Sequence, residues 1–283
     1  MPTKDSLLIA TWNVNSVKAR LPLVERWIDE AEPDVLLLQE TKTIAEAFPY
    51  EIFEDKGYGF AVVGQKTYNG VAILAKESIE DVTTTLPGDT NDQEARYIEA
   101  VIGGKLRVAS AYIPNGQEVG HAKYDYKLKW LERLRTHLQQ VLSYDEPFVI
   151  GGDFNIAPKD EDVYDPVLWK DRILCSSPER QAFQSLLHIG LYDIVRLQNP
   201  IHAPNGKDLF SWWNYRTRAW DSNSGLRIDH LLINAQALDC IEQAYIDTSS
   251  RGWERPSDHT TAALYKSLEK KIGAPQRKMK IKA

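Results

Sequence analysis

Phe148-Val149-Ile150-Gly151-Gly152-Asp153-Phe154-Asn155 begins as an apolar run and breaks, after two glycines, into alternating polar and aromatic residues. A short apolar run bounded by glycine reads as a buried strand. Its period of two puts Asp153 and Asn155 on one side and turns Phe154 back toward the core. Taken alone, the Asp-Phe-Asn step also reads as a turn, because Asp and Asn favour turns. The same arrangement recurs along the chain. Residues 7–12 run into Asn13-Val14-Asn15, residues 35–38 run into Gln39-Glu40-Thr41-Lys42, and Leu226-Arg227-Ile228 meets Asp229-His230. Pro256-Ser257-Asp258-His259 precedes a further apolar run at residues 261–264. Strands ending at one rim would gather these groups, and such oxygen donors suit a hard divalent cation such as magnesium. Taken individually, Glu40 reads as a surface residue sooner than as a ligand, since one carboxylate binds no ion usefully, and Ser257-Asp258-His259 as a cap or turn.

Working outward, residues 60–63, 71–74, 97–102, 106–113 and 228–233 also read as strands, punctuated by turns such as Tyr68-Asn69-Gly70. Ile102-Gly103-Gly104-Lys105 predicts a hairpin. Helical spacing predicts one helix from near Pro22 to Pro33, with Leu21, Val24, Ile28 and Ala31 on one face. A second covers residues 124–142, with Tyr124, Leu128, Leu131, Leu138 and Leu142 in a stripe and Lys123, Lys127, Lys129, Arg133 and Arg135 on the other faces. A third spans residues 178–188. Many strands with few, scattered helices do not alternate as a doubly wound fold would, so the expected class is α+β, two packed sheets with helices outside. With no repeat and no linker-like stretch, one domain is expected over residues 1–265. Residues 266–283, with seven Lys and Arg against Glu269 alone, read as a flexible basic tail. Such a tail either adds phosphate affinity or is a plain solvated end.

The 283 residues are 43% hydrophobic and 26% charged, an ordinary globular balance. No apolar run approaches the ~20 residues that span a bilayer, and no secretory pattern opens the chain. A cytoplasmic protein without membrane contact is expected. Cys175 and Cys240 lack zinc-site spacing and read as reduced, packed thiols. The net charge of −6 argues naively against a nucleic-acid partner, but carboxylates gathered for a cation would explain part of that excess. His121, His137, His188, His202 and His230 lack the acidic setting of His259 and read as surface or structural residues. Phe210-Ser211-Trp212-Trp213-Asn214-Tyr215-Arg216 is densely aromatic. Adjacent tryptophans on a strand face opposite ways, so one is expected in the core and one exposed, where it could stack on a base or an extruded sugar. In Tyr112-Ile113-Pro114-Asn115-Gly116, the tyrosine and asparagine could donate to phosphate or merely pack at an edge.

In order, Trp-Asn-Val-Asn, Leu-Gln-Glu-Thr-Lys, Tyr-Ile-Pro-Asn-Gly, Gly-Asp-Phe-Asn, Ser-Trp-Trp-Asn-Tyr-Arg, Leu-Arg-Ile-Asp-His and Pro-Ser-Asp-His run from about residue 7 to residue 265. Together they resemble bacterial exonuclease III and the abasic-site endonuclease branch of the endonuclease/exonuclease/phosphatase superfamily. The resemblance implies a four-layered αββα sandwich of two mixed sheets, like deoxyribonuclease I, acting as a monomer on double-stranded DNA at abasic sites or 3′ ends. It implies a magnesium site, with manganese able to substitute, at Glu40 with Asn13 and Asp258 close by, and with Asp153, Asn155 and His259 within the same set. Asp153 is implied as the base for the attacking water, with Asn155 orienting it. His259, held by Asp229, would donate to the phosphate; Tyr112 would meet the scissile phosphate or the leaving oxygen. Trp212 is implied as the wall of a sugar pocket. Asn115, Arg96, Lys18 and Arg20 are taken as DNA contacts, with Lys66 and Lys123 as further candidates. Two features depart from the family pattern: Asn15-Ser16 stands where Asn-Gly is common, and His230 follows Asp229. The competing readings are a phosphatase or phosphodiesterase of the same superfamily and an inactive DNA-binding relative.

Overall fold

The computed structural model describes residues 6–202, 206 and 208–267. In chain order the first strands and helices are β1 (Ser6–Asn13), α1 (Leu21–Ala31), β2 (Val35–Gln39), α2 (Tyr50–Glu54), β3 (Gly59–Val63), β4 (Val71–Ala75), β5 (Ile79–Thr83), β6 (Tyr97–Ile102), β7 (Leu106–Tyr112) and α3 (Ala122–Leu142). There follow β8 (Phe148–Asp153), α4 (Pro166–Trp169), α5 (Ser177–His188), β9 (Tyr192–Asp193), α6 (Ile194–Gln198), β10 (Asp229–Ile233), α7 (Ala235–Leu238), β11 (Ile241–Asp247) and β12 (Thr261–Ser267). They form two six-stranded sheets, ordered β11-β12-β1-β2-β4-β3 and β5-β6-β7-β8-β10-β9. Each sheet is mixed: β1/β2 and β7/β8 are parallel pairs among antiparallel neighbours.

The central strands read as nearly unbroken apolar runs because they are covered on both faces. Alternate residues of β1 and β2, such as Ile9, Val35 and Leu37, meet Val108, Val149 and Leu231 between the sheets. Their neighbours Leu8, Ala10, Trp12, Leu36 and Leu38 face outward onto Val24, Trp27 and Ile28 of α1 and Phe53 of α2. Trp130, Leu134 and Leu138 of α3, with Phe183 and Leu186 of α5, cover the outside of the second sheet. The result is the expected four-layered α+β sandwich. The sheets approach closely at Gly151, where an added Cβ would lie 2.8 Å from Leu37, 2.9 Å from Leu231 and 3.0 Å from Thr11.

The strands missed by sequence reading, β5, β9 and β11, lie at sheet edges. Glu80, Asp81 and Val82 of β5 are all exposed, so the strand carries no apolar alternation to recognise. Three further expectations need correction. Lys127 does not share an outer face of α3: it is fully buried against Glu179. His137 and His230 do have acidic neighbours, Glu99 at 2.8 Å and Asp193 at 3.7 Å. The last strand continues through Ser267, two residues into the expected tail, and the rest of that tail lies outside the described residues. Cys175 and Cys240 are free and buried. Among the described residues no helix is long and apolar enough to cross a membrane.

A buried charge cluster fixes β10 to the loop after β8. Arg227 Nε donates to Asp162 Oδ1 at 2.8 Å and its Nη1 to Asp193 Oδ2 at 2.8 Å; Arg196 Nη2 donates to Asp162 Oδ1 at 2.6 Å. Burial opposes the charge on both carboxylates, but the arginines outweigh it and hold both below the usual carboxylate range. A depressed folded-state pKa contributes stability above the unfolded value, about 3.9, and loses it as pH falls through the folded value. Asp162→Asn is therefore expected to destabilise the protein at pH 7 by roughly 3–5 kcal/mol, the usual effect of unpairing a buried charge. The deficit should shrink below about pH 4, where the wild type loses the same term. Urea unfolding of both proteins at pH 7 and pH 3 measures it; a deficit unchanged at pH 3 contradicts the assignment.

Candidate active site

Parallel strands finish at the same rim, so β1 and β2 deliver Asn13 and Glu40 side by side, and β7 and β8 deliver Tyr112 and Asp153. The antiparallel β10 starts at that rim, and sheet register makes a row: Tyr112 pairs with Asp153, which pairs with Asp229. β12 starts there too, immediately after His259. Beneath the rim Gln39 Nε2 crosses between the sheets to Ser110 Oγ at 2.9 Å, a bonded polar group in an otherwise apolar layer.

At the centre, Asn13 Nδ2 donates to Glu40 Oε1 at 2.9 Å and to Asp153 Oδ2 at 3.0 Å. Its amide oxygen accepts the Asn15 N–H at 3.0 Å, so Asn13 bridges the two carboxylates rather than standing free. Asp153 Oδ1 accepts the Asn155 N–H at 2.8 Å. Asn155 has left the extended conformation, with φ +51°, but its Nδ2 still reaches Asp153 Oδ2 at 3.3 Å, and Phe154 is fully buried, as alternation predicts. Asn115 Nδ2 donates to Asn155 Oδ1 at 2.9 Å.

His259 is wedged between two carboxylates. Its Nδ1 lies 2.9 Å from Asp229 Oδ2 and its Nε2 3.6 Å from Asp153 Oδ2. Burial works against the imidazolium, but Asp229 and Asp153 outweigh it and push the imidazole well above its usual value. Burial raises the Asp153 carboxyl; His259 lowers it, while Asp229 and Glu40 add to the rise. The Tyr112 phenol is held far above its ordinary value by burial and then by Glu40 and Asp153, so it stays a neutral hydroxyl.

Trp212 reaches this group through isolated bridges to Leu226 and His259, and its indole N–H donates to Asp258 Oδ2 at 3.1 Å. Trp213, its neighbour, is buried against Phe210 and Trp220, as expected of one of the pair, while Trp212 is half-buried against Leu174, Leu226 and Ile228 rather than exposed. A cavity of about 240 Å³ is lined by Glu40, Tyr112, Asn115, Asp153, Asn155, Asp258 and His259, with Leu174, Trp212 and Ile228 as its apolar side. A larger cavity of about 590 Å³ lies elsewhere, among Leu187, Leu191, Leu197 and Pro200. It contains none of the strand-end residues, so size and chemistry point to different places, and the chemistry is in the smaller one.

One ligand atom each from Glu40, Asp153 and His259 falls within 4.8 Å of the others. The carboxylate oxygens suit a hard cation. His259 uses its Nδ1 on Asp229 Oδ2 at 2.9 Å, so Nε2 is the ring nitrogen left to meet a ligand.

The arginines expected on DNA are otherwise engaged. Arg20 donates to Asn15 O at 2.8 Å and to Tyr215 Oη at 3.2 Å, bracing the rim. Arg96 pairs with Glu94 and lies 4.7 Å from the centre of the Tyr112 ring, which it packs against. Lys18 and Lys66 are exposed; Lys123 sits beside Asp89, Asp92 and Glu94. Sequence reading did not single out Lys42, whose Nζ meets Glu40 Oε2 at 2.7 Å, although it sits in the quoted Gln-Glu-Thr-Lys motif. It also passed over Ser211, whose hydroxyl donates to Asp229 Oδ2 at 2.6 Å. Leu174 carried no signal at all; it lines the cavity with φ +72°, a conformation few non-glycine residues adopt. Ser16, where Asn-Gly is common in the family, has φ +91°, so this chain keeps the glycine-type turn with a serine in it.

A family model described as endonuclease/exonuclease/phosphatase matches residues 10–259. Exodeoxyribonuclease III of Haemophilus influenzae is 36% identical over 259 residues, covering 88% of this chain and 96% of the relative. Among solved structures, the 3′-5′ exonuclease NExo from Neisseria meningitidis superposes with a TM-score of 0.88 at 38% identity, covering 92% of this chain and all of that one. An AP endonuclease from Archaeoglobus fulgidus gives 0.85 at 35% identity, covering 91% and 98%.

Proposed function

This chain belongs to the endonuclease/exonuclease/phosphatase family, and we propose that it is a magnesium-dependent DNA-repair nuclease. It hydrolyses the phosphodiester 5′ to abasic sites in duplex DNA and also trims 3′ ends as a 3′-5′ exonuclease and phosphodiesterase. The observation that carries this reading is His259 held between Asp229 and Asp153, with Glu40, Asp153 and His259 clustered within 4.8 Å in one small cavity. A proton acceptor, a proton-bearing donor and a cation-binding carboxylate thus surround one small space. Similarity to an exodeoxyribonuclease and an AP endonuclease supports DNA as the substrate.

In this reading the scissile phosphate occupies the cavity. Asp153, its basicity raised by burial, takes the proton of the attacking water, with Asn155 orienting that water. His259, Asn115 and the Tyr112 hydroxyl donate hydrogen bonds to phosphate oxygens as charge develops. Glu40 is the principal ligand of a divalent ion, with Asp258, Asp153 and the Asn13 and Asn155 amides close by; magnesium, or manganese in its place, supplies charge neutralisation at the phosphate and the leaving oxygen. Trp212, Leu174 and Ile228 offer an apolar wall to an extruded sugar. A sugar without its base has little stacking to lose, so it enters at lower cost than a paired nucleotide. The protein works in this reading as a cytoplasmic monomer.

Labelled duplexes with and without one abasic site, incubated with magnesium or with chelator, test the proposal. Magnesium should give a single cut 5′ to the abasic site, with slower shortening of undamaged 3′ ends, and chelator should stop both. Glu40→Ala should weaken the response to magnesium and recover part of it at high concentration. Cleavage of small phosphoesters without abasic incision would instead favour a phosphatase of the same family.

A further inference from the structure

Lys127 has a buried ammonium immediately behind the catalytic wall, and none of the roles above uses it. The side chain is fully buried in the second turn of α3. Its Nζ donates to the main-chain oxygen of Asn155 at 2.7 Å, to that of Asn115 at 3.2 Å, and to the Glu179 carboxylate. The first two acceptors belong to the asparagines whose side chains meet at 2.9 Å inside the cavity.

Without a donor between them, two carbonyls brought this close would repel, and the buried one, that of Asn155, would lose this partner. Three N–H groups on a flexible stem satisfy such a cluster better than any neutral side chain could. The chain is shaped around that stem. Gly116, with φ +91°, crosses it so closely that an added Cβ would lie 3.2 Å from Lys127 Cδ and 3.0 Å from Ile173 Cδ1.

Glu179 balances the charge and carries the link further. Its Oε1 accepts the Leu174 N–H at 3.1 Å, and its Oε2 accepts the Ser176 N–H at 3.1 Å and hydroxyl at 2.6 Å, which caps α5. One buried ion pair therefore anchors Asn115, Asn155 and Leu174, three of the residues lining the cavity.

We propose that Lys127, with Glu179, is a positioning residue: it sets the spacing of Asn115 and Asn155 at the reacting phosphate and acts through them. The idea rests on the site assignment above. Placement errors near 1 Å lower rates by about a hundredfold without weakening ground-state binding equally. Lys127→Met/Glu179→Gln removes both charges together and leaves no lone buried ion. On abasic duplex it should lower kcat roughly tenfold to a hundredfold while KM changes little. The second readout is a cycle with Asn155→Ala: if Lys127 acts through that asparagine, the double substitution should have little further effect once the amide is gone. A kcat per folded molecule within about twofold of wild type, or effects that multiply in the cycle, would overturn the proposal. Should the double variant unfold, Glu179→Gln alone makes a milder test by keeping the shape while loosening the hold on the ammonium, and kcat should again fall with coupling to Asn155→Ala. Wild-type incision is measured alongside. If wild-type protein fails to incise abasic DNA but cleaves another phosphoester, the substrate reading fails while the same kcat comparison on that ester still decides the role of Lys127.

Discussion

Asp153→Ala should lower kcat for abasic incision by roughly a thousandfold, the order expected for removal of a general base. DNA affinity should be unchanged or slightly tighter. The carboxylate stands in the row Tyr112–Asp153–Asp229 and accepts hydrogen bonds from Asn13, Asn155 and the Asn155 main chain. Among the other carboxylates at the site, Asp229 is committed to His259 and Ser211, Glu40 is held by Asn13 and Lys42, and Asp258 accepts from Asn15 and Trp212. Deleting Asp153 removes the assigned proton acceptor together with a negative charge that repels phosphate, so the chemical step and the binding step should respond in opposite directions. Single-turnover incision, together with equilibrium binding of an abasic duplex in chelator, separates the two. Near-normal incision by the variant would refute the assigned role, and loss of binding alone would make Asp153 a contact rather than a base. A melting profile close to wild type is expected, since the site end of β8 contributes little to the apolar layers.

The central strands and the three longer helices were legible because burial on both faces leaves apolar runs, and amphipathic packing leaves stripes at helical spacing. The edges were not, because Glu80 and Asp81 in β5 face solvent and obey no apolar period. The site was legible to the extent that strand ends carry it. Glu40, Asp153, Asp229, Asp258 and His259 stand out as polar residues terminating apolar runs, and the structure brings them to one rim. The supporting contacts were not, for two physical reasons. A buried lysine has the same letter as an exposed one, so Lys127 looked like part of a solvated helix face, while its partner Glu179 lies 52 residues away. Arg20 and Arg96 are plausible phosphate contacts by charge, and the folded loops also give each a neighbour that no sequence pattern announces. Leu174 depends on a backbone conformation that no side-chain pattern announces.

Asp229→Asn should lower kcat at pH 7.5 by roughly a hundredfold, the order seen when one donor to a developing oxyanion is lost. It should also shift the pH optimum toward acid. Asp229 accepts from His259 Nδ1 at 2.9 Å and 3.1 Å and is steadied by Ser211, so an asparagine can keep nearly the same shape. What it cannot keep is the charge. With Asp229 ionised, the imidazole binds its proton well above the usual range despite burial. Without that charge, burial favours the neutral ring and Asp153 alone opposes it, so the pKa falls back toward or below the ordinary value near 6.5. The protonated donor is then present only at lower pH, so the activity of the variant should rise as pH is lowered from 8 until protonation of Asp153 limits it, leaving a narrowed optimum displaced toward acid. The wild type should behave in the opposite way over that range, since its His259 stays protonated while Asp153, raised by burial, gains protons and loses its use as a base. His259→Asn supplies the control: it should lose activity to a similar extent but show no recovery in acid, because no proton remains to be restored. Superimposable pH profiles for Asp229→Asn and wild type would mean that the His259 charge does not take part in the reaction.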